Sequence, residues 1–243
     1  MIRIIPAIDI ISGKCVRLTQ GKYSSVRTYS DDPVDMARRF RDKGIRKLHI
    51  VDLDGARTSS PQNLGILERI VSATGMETEW GGGIKDRASL DSVLDCGASQ
   101  AICGSIAVTR PEEFISWIED HGPEKIILGA DIRDGKVATH GWTEDSGSDA
   151  HGLIRKFIHH GLSQVICTDI SRDGMLQGPS FGLYESLRRS FPGMAITASG
   201  GIASMDDIMR LDSLGIDNAI AGKAIYEGLI NLEEIAEYNR KSL

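Results

Sequence analysis

Short runs of β-branched and other apolar residues alternate along the whole chain with longer stretches in which apolar positions recur every three or four residues. The runs Ile2–Ile8, Lys47–Val51, Glu77–Trp80, Gln100–Cys103, Lys125–Ala130, Gln164–Thr168, Ala195–Ala198 and Asn218–Ala221 read as strands. The stretches 33–44, 63–75, 87–97, 111–122, 149–161, 181–191, 205–215 and 231–239 read as helices, many closing on a glycine able to take the left-handed conformation of a C-cap. Strands that alternate with helices imply right-handed crossovers and a parallel sheet. Eight strand–helix units in 243 residues predict an α/β fold, a closed (β/α)8 or TIM barrel. A doubly wound open sheet fits less well, because no GxGxxG follows the first strand.

The chain also repeats itself. "HIVDLDGA" (49–56) parallels "ICTDISRDGM" (166–175), "WGGGI" (80–84) parallels "ASGGI" (198–202), and "GASQAICGSIAV" (97–108) parallels "GIDNAIAGKAIY" (215–226). "DIISGK" (9–14) and "DIRDGK" (131–136) match as well. These segments keep their order at a nearly constant offset, far longer than a solenoid period. They predict a single domain over 1–243, built from two homologous half-barrels of approximately 1–123 and 124–243.

The repeat carries the candidate chemistry. Loops that follow the strand C-termini of a parallel barrel share one face, where the active site sits. The first and fifth of eight strands lie opposite each other, so Asp9 and Asp131 are expected to face one another across the mouth. Two opposed carboxyl groups suit paired acid and base work. An aspartate before Gly-Lys is also the ordinary opening of a tight turn, and only the symmetric placement argues for chemistry. Glycine pairs at Gly82 and Gly83 and at Gly200 and Gly201, with Gly104–Ser105 and Gly222–Lys223, end the remaining strands in matched fashion. Glycine permits close backbone approach, and helix N-termini behind such loops attract anions. The pattern predicts two phosphate-binding flanks, hence an elongated ligand with a phosphate at each end. Ser105 and Lys223 differ between the halves, a hydroxyl in one loop and a cation in the other, although both residue types also cap helices.

Composition narrows the classes. Hydrophobic content of 41%, charged content of 26% and net charge −6 describe a globular protein without the basic face that nucleic-acid binding needs. No signal-like leader and no run of about 20 apolar residues is present, so a cytoplasmic location and no membrane partner are expected. Cys15, Cys96, Cys103 and Cys167 form no CxxC and read as reduced thiols, three of them in or beside apolar segments. No HExxH or zinc-like spacing occurs, and no metal is expected.

Taken together, "IPAIDIISGKCVRLTQG", "HIVDLDGA", "WGGGI", "GADIRDGKVATHGW", "TDISRDGML", "ASGGI" and "GIDNAIAGKAIYEG" resemble the two-half-barrel family of histidine biosynthesis over essentially the whole chain, and within it the isomerase branch. The resemblance implies conversion of the bisphosphorylated N′-formimino aminoimidazole carboxamide ribotide from aminoaldose to aminoketose. The chemistry implied is an Amadori rearrangement without cofactor, with Asp9 as base and Asp131 as acid. The near-symmetry of the sequence alone does not assign those two roles. Arg17 resembles a substrate-binding arginine, with a surface salt bridge as its plain alternative. Trp142 resembles a tryptophan that stacks on the ligand's base, with covering its own loop as the alternative. Thr168 and Asp173 resemble substrate contacts, whereas Asp52 and Asp169 are read as barrel-mouth hydrogen-bonding residues. No obligate protein partner is implied, and a monomer is expected.

Three rivals share these features. The sister cyclase of the pathway resembles "PCLDV" followed by "GRVVKG", whereas this chain reads "PAIDI" and "GKCVRLTQG", with Arg17 in place of a lysine. A bifunctional isomerase that also takes a tryptophan-pathway substrate would differ in its lids. A non-catalytic phosphometabolite-binding barrel would not need both strand-end aspartates. The polar stretches 19–32 and 139–149 exceed usual connection lengths and are read as loops that close over a ligand.

Overall fold

The computed structural model of the protein describes residues 1–139, 142, 144, 145 and 147–241, with 144 and 145 described by backbone only. In chain order the strands are β1 (Arg3–Ile11), β2 (Lys14–Thr19), β3 (Lys22–Ser30), β4 (Lys47–Asp52), β5 (Glu77–Gly81) and β6 (Gln100–Cys103). They continue as β7 (Ile126–Arg133), β8 (Lys136–Thr139), β9 (Glu144–Asp145), β10 (Gln164–Asp169), β11 (Ala195–Ser199) and β12 (Asn218–Ala221). Every expected strand is present. Eight of the twelve pair in parallel around a ring, β1–β4–β5–β6–β7–β10–β11–β12 and back to β1. The ring is a closed α/β barrel with no open edge.

The eight expected helices also form, at Pro33–Asp42, Leu64–Thr74, Arg87–Asp95, Pro111–His121, Ala150–Ile158, Phe181–Ser190, Met205–Ser213 and Leu232–Lys241. Their apolar stripes explain their packing. In Pro111–His121, Phe114, Trp117 and Ile118 recur at three- and four-residue spacing and are all buried. Side-chain caps fix several starts. Asp32 accepts from the Val34 N–H at 2.9 Å, and Asp86 with Ser89 and Ser204 with Asp207 form capping boxes. The main core lies between these helices and the outer face of the barrel. A smaller one, Ile5, Ala7, Ile127, Ile166 and Ile220, fills the barrel interior with Ile102 against it. Cys15, Cys103 and Cys167 are buried and Cys96 is half-buried, all as free thiols. Among the described residues no helix is long and apolar enough to cross a membrane.

One expectation needs correcting. The stretch 19–32, read as a long loop, is mostly β3, the outer arm of an antiparallel hairpin with β2. Nearly all of β3 is exposed, so it carries no hydrophobic alternation, yet Tyr23, Val26, Thr28 and Tyr29 have strand propensity. The turn between its arms, Gln20–Gly21, has positive φ at both residues, as do Ser12–Gly13 between β1 and β2 and Asp134–Gly135 between β7 and β8. Such pairs make two-residue hairpin turns whose twist matches the strands. The repeated Asp-Ile-x-x-Gly-Lys is therefore a strand end running into a hairpin, in both copies. Short helices at Leu53–Thr58, Ser105–Thr109 and Lys223–Tyr226 were also not foreseen. Within the second proposed closing loop, 139–149, His140, Gly141, Thr143 and Ser146 lie outside the described residues.

Candidate active site

β1 and β7 are four places apart in the ring of eight, so they stand diametrically opposed. Asp9 and Asp131 sit near the C-terminal ends of these strands and line the same cavity at the barrel mouth. Arg17, Trp142, Thr168, Asp173 and the expected glycines, Ser105 and Lys223 all line it too. The arrangement thus brings every candidate residue into one space.

The two carboxyl groups have different surroundings. Arg17, one strand over on β2, donates to Asp9 Oδ2 at 2.7 Å and to the Ala7 carbonyl at 2.6 Å. Both side chains of that pair are only 13% exposed, so Arg17 is not a surface salt bridge. Tyr226 flanks it: the Arg17 guanidinium lies 5.4 Å from the ring centroid, and the Tyr226 hydroxyl donates to the Ala7 carbonyl at 2.9 Å. Among the described residues Asp131 forms no ion pair with a lysine or arginine. The Trp142 indole N–H donates to its Oδ2 at 2.7 Å, and Thr168, its register partner on β10, supplies a side-chain hydrogen bond. Burial nevertheless raises the Asp131 pKa above the usual aspartate range, outweighing those hydrogen bonds and the nearby His49 charge. Asp173, in the segment after β10, is pushed up to about 6, chiefly by burial and then by the Asp9 charge, with Arg17 opposing. One carboxyl group is clamped to a guanidinium, and burial raises the pKa of the other two.

The glycine loops have a packing reason of their own. Gly82 and Gly200 have φ of +107° and +90°, and a Cβ there would lie 2.2 Å from the Asp52 carbonyl oxygen and 2.6 Å from that of Asp169. Each loop is pressed onto the end of the preceding strand. Asp52, fully buried, accepts from the backbone N–H groups of Gly55, Gln62 and Asn63 and from the Asn63 side chain, so it organises a loop. Asp169 does the same more simply, accepting from the Ser171 N–H and hydroxyl. Both match the hydrogen-bonding role expected of them. Gly104 and Gly222 open the short helices, and a Cβ at Gly222 would meet the Arg17 guanidinium at 2.4 Å. Lys223 Nζ donates to the Gly174 carbonyl at 2.8 Å.

Three excursions meet above the cavity. A Cβ on Gly21, at the β2–β3 turn, would fall 2.2 Å from the Trp142 ring. The Gln20 N–H donates to the Asp173 carbonyl at 3.1 Å, and its side chain donates to the Ser171 carbonyl at 3.1 Å. Trp142 itself sits at φ +73°.

With this geometry in hand, the comparison with known proteins is decisive. The profile of the family described as "Histidine biosynthesis protein" matches residues 3–231. The chain belongs to this family. Relatives include a Parabacteroides distasonis protein, 49% identical over 238 residues, which are 98% of this chain and 100% of the relative. A Cytophaga hutchinsonii protein is 48% identical over 239 residues (98% and 100%), and one from Bacteroides thetaiotaomicron 46% over 235 residues (97% and 98%). Each is named 1-(5-phosphoribosyl)-5-((5-phosphoribosylamino)methylideneamino)imidazole-4-carboxamide isomerase. Family membership makes the chain an enzyme of histidine biosynthesis, of the isomerase type. Among the described residues no cluster of His, Cys, Asp and Glu is arranged to hold a metal.

Several cavity residues were missed in the sequence. His49, Lys85 and Tyr23 line the cavity, and Tyr226 packs behind Arg17. His49 left a trace. Lys47, His49 and Val51 occupy alternate positions of one strand, and the first two are polar where a barrel interior ordinarily holds aliphatic side chains. Tyr226 left none, because it lies in a four-residue helix.

Proposed function

We propose that the chain converts the bisphosphorylated N′-formimino aminoimidazole carboxamide ribotide to its ribulosyl isomer by acid–base catalysis. One observation carries the reading: Asp9 and Asp131 stand on opposed strands and line one cavity whose two flanks are matched glycine loops. Asp131, half-buried and with its pKa raised by desolvation, donates a proton to the ribose ring oxygen, and the C1′–O bond opens to a protonated Schiff base. Asp9, held by Arg17, removes the C2′ proton, and the electron pair forms the C1′=C2′ bond of an enolamine. Reprotonation at C1′ and loss of the 2′-hydroxyl proton give the ketone. Only protons move, so the reaction calls for no redox cofactor.

In the same reading Gly82, Gly83, Gly104 and Ser105 receive one phosphate, and Gly200, Gly201, Gly222 and Lys223 the other. The two flanks descend from duplication of a half-barrel, approximately 1–123 and 124–243, within one domain. Trp142 and Thr168 orient Asp131, and the indole face borders the space for the imidazole carboxamide. Arg17 and Asp173 contact the substrate near Asp9.

The test supplies purified protein with the bisphosphorylated aminoaldose, without ammonia, and follows the carbon NMR spectrum. Ketose formation supports the isomerase; consumption of ketose only when ammonia is added would assign the sister cyclase activity instead. Asp131→Asn is expected to abolish turnover while ligand still binds.

A further inference from the structure

The acid–base scheme leaves a proton unassigned. Ring opening takes one from Asp131 and leaves a carboxylate, and the enolamine must lose one from its 2′-hydroxyl, so a base standing between that hydroxyl and Asp131 would carry the proton back. Asp9 already carries the proton it took from C2′. The cavity floor holds a candidate. It is lined by Ala7, Ile102, Ile166 and Ile220 from four strands, with His49 the titratable group among them.

His49 is built to present one nitrogen. On β4 it pairs with Ala7, one layer below the level at which Val51 pairs with Asp9. Its Nδ1 lies 2.8 Å from Glu79 Oε1 on β5. Glu79 is 1% exposed, and its other oxygen meets Lys47 Nζ at 2.8 Å; Lys47 in turn donates to Gln100 Oε1 at 2.5 Å. Glu79 also pairs with Lys47, and its carboxylate oxygen can only accept, so Nδ1 carries the hydrogen in this contact. The Nε2 lone pair is then the one left for the cavity, as in other histidines whose tautomer a carboxylate fixes. The remaining charged groups among the described residues that line this cavity are Asp9 on β1, Arg17 on β2, Asp131 on β7, Asp173 after β10, Lys85 after β5 and Lys223 after β12. His49 lines the same cavity as Asp131 and Asp173.

We propose that His49 is a third catalytic residue, which takes the 2′-hydroxyl proton of the enolamine and returns it to Asp131. This rests on the isomerase reading above. In the step, the O2′–H bond breaks as Nε2–H forms, and the oxygen pair becomes the C2′=O bond. The C1′=C2′ pair takes back the proton held by Asp9. Imidazolium then passes its proton to the Asp131 carboxylate left by ring opening. All three groups end as they began.

The experiment compares His49→Ala, Asp9→Asn and Asp131→Asn with the native enzyme on the bisphosphorylated aminoaldose. His49→Ala is expected to lower kcat about a hundredfold or more with KM little changed, a normal loss for a proton-transfer group. Free imidazole is expected to restore at least tenfold of that loss, the rescue growing with pH as neutral imidazole accumulates. A His49→Ala kcat within twofold of native, or a low kcat that imidazole leaves unchanged, overturns the proposal while inactive aspartate variants leave the isomerase reading standing. Native rates in both aspartate variants overturn that reading and the proposal with it. Should His49→Ala fail to fold, His49→Gln preserves bulk and hydrogen bonding. It is expected to show the same kcat loss, and native kcat in that variant overturns the proposal.

Discussion

Asp173→Asn should make the protein more stable and less active, and the pH at which stability is measured decides whether the reason is right. Burial and the Asp9 charge raise the Asp173 pKa to about 6. An aspartate in an unfolded chain titrates near 3.9. The gap is about two pH units, and each is worth about 1.4 kcal/mol, so ionised Asp173 costs the folded state up to about 3 kcal/mol. Because the carboxyl group is only partly buried, solvent screening brings the expected figure to about 1–3 kcal/mol. Its folded pKa is raised, so the protonated acid favours folding. The native state is unpenalised below about pH 4, loses stability between about 4 and 6, and carries the full penalty above about 6. Asparagine keeps the shape and never ionises. Urea melts of both proteins should therefore have coincident midpoints at pH 4, with the variant's midpoint higher at pH 8. Turnover should fall in parallel, as is usual where a site keeps a strained charge. A gain equal at both pH values, or a loss at pH 8, would refute the electrostatic account.

Three further outcomes follow from contacts described above. Trp142→Phe removes the indole hydrogen bond that holds the Asp131 pKa down, so the limb of the pH–rate profile set by Asp131 should move to higher pH; an unmoved limb would count against Asp131 as the acid. Gly82→Ala drives a Cβ to 2.2 Å from a backbone carbonyl at φ +107°, and should cost about 3 kcal/mol or more, or prevent folding, as read by thermal melting. Arg17→Lys keeps the charge and loses the fork that spans Asp9 and the Ala7 carbonyl, so kcat/KM should fall at least about tenfold in steady-state assays with the fold intact by circular dichroism.

Much of this molecule was legible in advance because its barrel strands are buried on both faces. Continuous apolar runs such as "KIILGA" have few other readings, and the matched glycines at 82–83 and 200–201 mark the same bend twice. β3 escaped because an exposed strand has no burial pattern to betray it. The turn dipeptides Ser12–Gly13, Gln20–Gly21 and Asp134–Gly135 were its available signal. The candidate residues could be named singly, since each ends a recognisable segment. Their pairings could not. That Arg17 clamps Asp9 while Trp142 serves Asp131 depends on how β2 and the chain beyond β8 fold back over the mouth, and neither path is written in local periodicity. His49, Glu79 and Lys47 meet across neighbouring strands, and only the register brings them together.

The contact of Gly21 with Trp142 has a consequence for Asp131. Because the hairpin tip offers no side chain, the indole of Trp142 lies directly against it at the cavity. The same side chain gives its indole N–H to Asp131, so the hairpin tip and that carboxyl group lean on one support. Any side chain at position 21 would push against the ring and, through it, against the hydrogen bond that Asp131 receives.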